Sequence, residues 1–120
     1  MRWVPHKMRI MALVELRQYR MHPGQRDNWV RFMNEVIVPF QKSKGMKVLG
    51  MWVAEEDPDL FIWMREFESE EQRVKQYADV YESDYWKTEV APKAGTMNNR
   101  EQMVITRLIP TADVATSAAT

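Results

Sequence analysis

The segment Val14–Gly24 constrains the fold of this chain more than any other stretch. Its side chains alternate in character: one set is aliphatic or amide, Val14, Leu16 and Gln18, and the other is charged or phenolic, Glu15, Arg17 and Tyr19. A period of two residues is typical of a β-strand, and Pro23-Gly24 ends the pattern with a turn. Such a strand either exposes its charged face to water or lines a polar, functional interior.

Length and composition limit the classes of protein to which the chain can belong. Its 120 residues and 14.3 kDa suit one domain with a hydrophobic core. The 17 basic and 17 acidic residues balance, so we expect neither a nucleic-acid nor a membrane partner. The absence of cysteine excludes disulfides, thiolate metal sites and a cysteine nucleophile, and it favours a cytoplasmic location.

One long amphipathic helix is predicted after the strand. In the segment 25–43, large apolar side chains recur at helical spacing: Trp29, Met33, Val36, Ile37 and Phe40. Pro39 lies inside this pattern and cannot donate a hydrogen bond to the carbonyl of Glu35, which predicts a bend or an end of the helix there. Gly45 suits the position just beyond the helix.

The rest of the chain predicts a second strand-helix-strand unit. Alternation, a capping motif and turn residues indicate strands at 47–54 and 60–67, a helix capped by Ser69, a short helix from Ser83 that ends before Pro92 or by Gly95, and a strand at 100–109. We expect an irregular leader at 1–10, a domain at 11–109, and a disordered tail rich in Ala, Thr and Ser at 110–120.

The element order β-α-β-β-α-β predicts an α+β, ferredoxin-like fold with a four-stranded antiparallel sheet. Two helices can cover only one face of such a sheet. We expect them to cover the aliphatic face, which the alternation assigns to Val14, Leu16, Leu49, Met51, Val53, Ile62 and Met64.

The opposite face is then too aromatic for water and too charged for an ordinary core. The alternation assigns to it Glu15, Arg17, Tyr19, Trp52, Phe61, Trp63, Arg65 and Phe67. A patch of this kind marks an interface, so we expect a homodimer in which two sheets pack face to face. Glu15 then needs Arg17 or Arg65, because an unpaired buried charge costs about 3–5 kcal/mol.

Short motifs along the chain resemble those of the NIPSNAP family from about Leu13 to Ile109. They are Glu-Leu-Arg-Gln-Tyr at 15–19 with Pro23-Gly24, Val38-Pro39-Phe40, Lys44-Gly45, Leu49-Gly50-Met51-Trp52, Ile62-Trp63 with Phe67, and Asp84-Tyr85-Trp86. The resemblance implies a dimeric α+β barrel, in agreement with the sheet-to-sheet dimer. It implies no particular reaction, because the same superfamily holds cofactor-free monooxygenases, isomerases, dehydratases and haem enzymes.

Four side chains of the charged face are candidate catalytic groups: Glu15, Arg17, Tyr19 and Arg65. Together they offer a base, two groups that bind anions, and a phenol that can donate to a developing oxyanion. The alternative is a structural ion-pair network that sets the register of the dimer.

Aromatic residues are candidate ligand contacts. Trp52, Phe61, Trp63 and Phe67 can hold a flat, aromatic or apolar molecule, or they can form the core of a dimer. Trp86 can cover a pocket between the helices and the sheet, or it can simply anchor its helix. His22 follows the first strand, where loop residues often carry function, or it is only solvated. With two histidines in the chain we expect no metal site and no cofactor.

Two functional hypotheses follow from these residues. In the first, the protein binds a small molecule and carries out cofactor-independent acid-base chemistry on a carbonyl or aromatic compound. Glu15 or Tyr19 then moves the proton, and Arg17 or Arg65 stabilises negative charge. In the second, the protein is a non-catalytic scaffold or interaction protein whose charged face only specifies dimerisation. A cavity large enough for a ligand distinguishes the two.

Overall fold

A computed structural model describes residues 12–111, so the predicted leader at 1–10 and all but the first two residues of the predicted tail at 110–120 lie outside the described residues. The strands are β1 (Leu13–Arg20), β2 (Lys47–Val53), β3 (Leu60–Phe67) and β4 (Val104–Leu108). The α-helices are α1 (Arg26–Phe32), α2 (Val38–Ser43), α3 (Glu70–Tyr81) and α4 (Ala91–Gly95). The order confirms the predicted ferredoxin-like fold.

The strands form one antiparallel sheet in the order β2-β3-β1-β4. The central strands β1 and β3 place Glu15 opposite Arg65 and Tyr19 opposite Phe61. The edge strand β4 starts at Val104, later than predicted, because Arg100–Gln102 form a 3-10 turn. The side chain of Asn99 begins that turn by accepting a hydrogen bond from the backbone N–H of Glu101.

The helices cover the charged and aromatic face of the sheet, so the prediction that they cover the aliphatic face is wrong. Glu15, Arg65 and Phe67 are buried in the single chain, with 2%, 0% and 0% of their surface exposed. The inversion is possible because α3 brings tyrosine hydroxyls over the charged residues, so these side chains find hydrogen-bond partners without a second subunit.

A β-bulge in β2 moves Trp52 to the face that the helices leave open. The pairing with β3 shifts between Val48 and Gly50, after which Trp52 lies opposite Ile62 and Met51 opposite Trp63. One extra residue in a strand reverses the faces of all that follow, which is why the simple alternation assigned Trp52, Met51 and Val53 to the wrong sides.

Within residues 12–111, the other face of the sheet is left open. This open sheet face carries half-buried and exposed apolar side chains: Val14, Leu16, Trp52, Ile62, Met64, Val104 and Leu108. The indole of Trp52 packs against Gly50: a Cβ atom at Gly50 would be only 2.7 Å from the Cη2 atom of the indole. A glycine at this position therefore lets the indole cover the sheet.

The predicted first helix is continuous but contains a π-helical segment, Met33–Ile37, between α1 and α2. At its end the backbone N–H of Val38 donates to the carbonyl of Met33, five residues earlier. This wider turn precedes Pro39, which cannot donate to the carbonyl of Glu35, so the helix passes the proline instead of ending there. A second π segment, Trp86–Val90, precedes Pro92 in the same way.

Helix α3 starts where the capping motif predicts. The hydroxyl of Ser69 accepts a hydrogen bond of 3.0 Å from the backbone N–H of Gln72. The side chain of Gln72 in turn accepts from the backbone N–H of Glu68 at 2.8 Å. In the described part of the chain, no helix is long and apolar enough to cross a bilayer.

Candidate functional site

A cavity of about 110 Å³ lies between the sheet and the helices that cover it. Its walls combine polar side chains of the sheet with apolar side chains of the helices, among them Arg17, Tyr19, Trp63, Met33, Ile37 and Trp86. Both π segments contribute to the wall. Met33 and Ile37 are the first and last residues of one segment, Trp86 is the first residue of the other, and all three line the cavity. This mixture of apolar walls and a few polar groups is typical of a small-molecule site.

Behind the cavity, Glu15 and Arg65 form a buried ion pair between β1 and β3. The Nη2 atom of Arg65 donates to Oε1 of Glu15 at 2.8 Å, and its Nε donates to the same oxygen at 3.3 Å. The hydroxyl of Tyr77 donates to the other carboxylate oxygen of Glu15. Both oxygens of the carboxylate are therefore occupied by donors of the chain itself.

Arg65 is also held by the helices and by aromatic rings. Its Nη1 donates to Oε1 of Gln41 and to the hydroxyl of Tyr81, each at 2.8 Å. The guanidinium carbon lies 4.8 Å from the ring centre of Trp63 and 5.3 Å from that of Tyr77. Such contacts with aromatic faces stabilise a desolvated cation. Arg65 thus ties both central strands to two helices.

Arg17 is less completely paired and lines the cavity. Its Nε donates to the hydroxyl oxygen of Tyr19 at 2.6 Å, and its Nη1 donates to Oε1 of Glu15 at 3.3 Å. For its Nη2 the nearest acceptor is the sulfur of Met103, at 3.6 Å. A thioether is a weak acceptor, so this corner of the guanidinium is available to a bound molecule.

Glu15 and Tyr19, the two titratable groups beside Arg17, have pKa values shifted in opposite directions. Burial would raise the pKa of Glu15, but the charge of Arg65 and the hydrogen bond from Tyr77 together hold it below its ordinary value. Burial raises the pKa of the Tyr19 phenol, and the nearby charge of Arg17 offsets only part of that effect. At neutral pH, Glu15 is therefore a poor proton acceptor and Tyr19 keeps its proton.

The lowered pKa of Glu15 predicts a loss of stability in acid. The unfolded chain takes up the proton near the ordinary glutamate pKa of about 4.3, whereas the folded chain resists protonation at that pH. The contribution of Glu15 should be complete above this pH and decline as the pH falls further. Urea denaturation at neutral pH and at a series of pH values down to about 3 measures this decline.

The control for the acid prediction is Glu70→Gln. The pKa of Glu70 is lowered to about 2, chiefly by the hydrogen bond from Arg73, but its side chain is 53% exposed and solvent screens the pair. Glu70→Gln should keep most of the wild-type pH dependence, and Glu15→Gln should flatten it. An equal slope in wild type and Glu15→Gln would contradict the prediction.

Three buried polar atoms, each in a residue that lines the cavity, lack a partner within the described residues. They are the indole nitrogens of Trp29 and Trp63 and the side-chain oxygen of Asn98. Their side chains are almost fully buried, with exposures of 2%, 1% and 4%. Buried polar groups are normally hydrogen-bonded, so these three atoms depart from ordinary packing in the residues around the cavity.

No His, Asp or Glu side chain lines the cavity among the described residues. Among residues 12–111, no set of three or more His, Asp or Glu side chains is arranged to hold a metal ion. From the sheet, the polar side chains of Arg17 and Tyr19 line the cavity. Arg17 can bind an anion, and Tyr19 can donate a proton or a hydrogen bond.

Comparison with protein families decides the family of this chain. The NIPSNAP family model matches residues 14–113, which include every helix and strand of the sheet domain apart from Leu13, the first residue of β1. The chain belongs to the NIPSNAP family. No curated protein matches it.

Solved NIPSNAP structures share the fold at low sequence identity. A NIPSNAP-like domain protein from Burkholderia xenovorans superposes with a TM-score of 0.76 at 16% identity, over 87% of this chain and 89% of its own. A NIPSNAP protein of unknown function from Agrobacterium tumefaciens gives 0.74 at 20% identity, over 84% and 89%. A conserved protein from Methanosarcina mazei gives 0.65 at 15% identity, over 88% and 99%. At these identities the likeness shows the fold.

The four candidate catalytic residues of this NIPSNAP domain lie in one cluster, but only two of them reach the cavity. Arg17 and Tyr19 line it, whereas Glu15 and Arg65 are paired behind it. Of the aromatic candidates, Trp63 and Trp86 also line the cavity.

The remaining candidates lie elsewhere. Phe61 packs against Tyr19 with ring centres 6.2 Å apart, and Phe67 packs against Tyr77 at 6.0 Å. Trp52 is on the open sheet face and is 50% exposed. His22 is near the start of the turn after β1, where its Nε2 lies 3.3 Å from the carbonyl of Gly95. None of these four lines the cavity.

The sequence prediction missed the residues that the helices contribute to this NIPSNAP site. The sequence pattern places Trp29 only in a helical stripe and gives no role to Tyr77 and Tyr81. Gln41 carried a usable signal, because it lies four residues after Ile37, where the apolar stripe of the helix continues, and it is fully buried. For Asn98, in the loop after α4, the sequence holds no periodic signal.

Proposed function

We propose that this NIPSNAP protein binds a small organic molecule in the cavity between its sheet and its helices. The observation that carries the proposal is the cavity itself, where apolar walls meet the weakly paired Nη2 corner of the buried Arg17 guanidinium and the Tyr19 phenol. Side chains of the chain itself would fill this space in a purely structural core, since protein interiors pack densely.

For a reaction, the arrangement favours cofactor-independent chemistry on a carbonyl group. Tyr19 can donate to a carbonyl oxygen, and Arg17, held by Tyr19 and Glu15, can stabilise the negative charge that develops there. Glu15 is better described as a positioning residue than as a base, because both of its oxygens accept hydrogen bonds from Arg65 and Tyr77. Arg65 positions Tyr81 and Gln41, which line the cavity.

We also propose that the protein is a homodimer that pairs through the open sheet face. Trp52, Val104 and Leu108 are 50%, 51% and 37% exposed there, and half-buried Leu16 and Ile62 lie between them. An apolar sheet face of this kind is unusual on a soluble monomer. The scaffold hypothesis requires that the charged face specify dimerisation. The chain's own helices cover that face, so the geometry does not favour this hypothesis.

Filling the cavity should abolish ligand binding. Ala94 lines the cavity from α4, and Ala94→Phe places a ring in the space that a ligand would occupy. Native protein and variant are purified in parallel, and untargeted mass spectrometry identifies the small molecules that each carries. We expect a compound that is present with the native chain and absent from Ala94→Phe.

The control for cavity filling is the same change at a distant alanine. Ala54→Phe alters the turn after β2, which does not line the cavity, and should keep the compound. Melting curves confirm that both variants fold, since overpacking costs about 1–3 kcal/mol. Recovery of the same compounds from all three proteins would overturn the proposed cavity function.

A further inference from the structure

We propose that the molecule bound in the cavity is a small organic monocarboxylate, held through its carboxylate by Arg17. The inference rests on the proposed function and deepens it by naming the chemical class of the ligand. It is carried by the imbalance of charge around the cavity and by the unpartnered donors on its wall.

The buried cluster beside the cavity holds one positive charge more than it holds negative charges. Glu15, Arg17 and Arg65 are 2%, 6% and 0% exposed, and both guanidinium groups stay protonated at any ordinary pH. Tyr19 does not supply the missing anion, because burial raises the pKa of its phenol. A surplus buried charge is costly unless it is paired, and one carboxylate would balance it.

The pairing shows that Arg17, and not Arg65, carries the surplus. Arg65 has acceptors on all three nitrogens: Glu15, Gln41 and two tyrosine hydroxyls. Arg17 also reaches two tyrosine hydroxyls, of Tyr19 at 2.6 Å and of Tyr77 at 3.2 Å, but its contact with Glu15 is longer, at 3.3 Å, and its Nη2 has only a thioether beside it. Arg17 lines the cavity, and so does the exposed side chain of Arg100, whereas no aspartate or glutamate among the described residues does.

The unpartnered atoms on the wall add to this preference for an acceptor. The indoles of Trp29 and Trp63 can only donate hydrogen bonds, and both are buried without an acceptor. Their rings flank Tyr19, with centres 5.8 Å and 6.2 Å from its own. These buried donors leave the residues around Arg17 richer in donors than in acceptors, which favours a ligand that carries acceptors.

The volume restricts the ligand to a few heavy atoms. The cavity measures about 110 Å³. An engineered protein cavity of about 150 Å³ holds one benzene molecule. A carboxylate with a short chain fits this space, and Met33, Ile37 and Trp86 provide apolar contacts for that chain.

The test compares acids with their uncharged amides on the full chain. Propionate is paired with propionamide and lactate with lactamide, at ionic strength held constant with sodium chloride. Calorimetry and tryptophan fluorescence, which three indoles on the wall make sensitive to occupancy, give the dissociation constants. We expect each acid to bind at least about tenfold more tightly than its amide.

The matched variants are Arg17→Met and Arg31→Met. Arg17→Met should weaken acid binding at least about tenfold and leave amide binding unchanged. Arg31 is exposed on α1 and does not line the cavity, so Arg31→Met should bind like the native protein. The comparison of acid with amide on the native chain does not depend on either variant folding.

Each result distinguishes this inference from the proposed function. Amides that bind as tightly as their acids would overturn the carboxylate assignment and leave the small-molecule site in place. Acid binding that Arg17→Met does not weaken would overturn the role of Arg17. Absence of saturable binding by acids and amides alike, together with no compound co-purifying with the native protein, would overturn both proposals.

Discussion

Arg65→Met is expected to lower the free energy of unfolding by about 3–5 kcal/mol, the range for removing one partner of a buried ion pair. Methionine keeps much of the length of the side chain but none of its donors. Glu15 loses its closest charged partner, at 2.8 Å, and the buried oxygen of Gln41 loses the donor at 2.8 Å. Urea denaturation of the variant and the native protein measures the loss.

The matched control for Arg65→Met is the same change at Arg17. Arg17→Met should cost no more than about 1 kcal/mol, because Glu15 keeps Arg65 and Tyr77 and the surplus positive charge disappears. Adding Glu15→Gln to Arg65→Met should restore part of the loss, since no buried carboxylate then lacks its partner. Equal losses for the two arginine variants would contradict the assignment of Arg65 as structural and Arg17 as the binding residue.

Leu16→Lys is expected to convert a dimer into a monomer. Leu16 lies in the middle of the open sheet face, on β1 between β3 and β4, where a two-fold interface would bury the new charges against one another. In a single chain the lysine stem can lie on the sheet with its ammonium group in water, so the fold should persist. Light scattering should change from about twice 14.3 kDa to 14.3 kDa.

The control for the dimer is Val74→Lys. Val74 is 53% exposed on α3, which covers the opposite side of the sheet. This variant adds the same charge to the same chain outside the proposed interface, and it should keep the mass of the native protein. A native protein that sediments as a stable monomer would overturn the proposed dimer, whatever the two variants do.

The sequence predicted the fold because local patterns and topology agree. The alternation of β1 and β3 and their neighbouring positions in the predicted sheet place Glu15, Arg17 and Arg65 together. The capping motif at Ser69 located the start of α3 within one residue of its observed position at Glu70. These features depend on neighbouring residues in the sequence or on the order of the strands, and both can be predicted from a sequence pattern.

The face of the sheet that the helices cover could not be obtained in this way. Burying Glu15 and Arg65 within one chain depends on the hydroxyls of Tyr77 and Tyr81 and on the amide of Gln41, which lie on other elements. How a helix is rotated over a sheet decides which of its side chains meet those charges. A periodic stripe identifies the buried side of a helix, but it does not identify the partner of each residue.

The bulge in β2 could not be predicted from the sequence, for a different reason. Leu49, Gly50, Met51 and Trp52 contain no polar residue that would mark one side of the strand as facing water. Either register therefore satisfies the hydrophobic pattern equally well. Only the packing of Trp52 across Gly50 distinguishes the two, and that contact is a property of the folded sheet.

The two π segments determine the rotational phase of the helical residues that follow them. An α-helix advances by about 100° per residue, and a π turn adds one residue to a turn. Every side chain beyond Ile37 is thereby offset by about one residue's rotation, which brings Gln41 under Tyr81 and toward Arg65. Ala94, beyond Val90, reaches the cavity wall after the second such offset. Loss of one residue from either segment would therefore change the lining of the cavity while every residue of the sheet stayed the same.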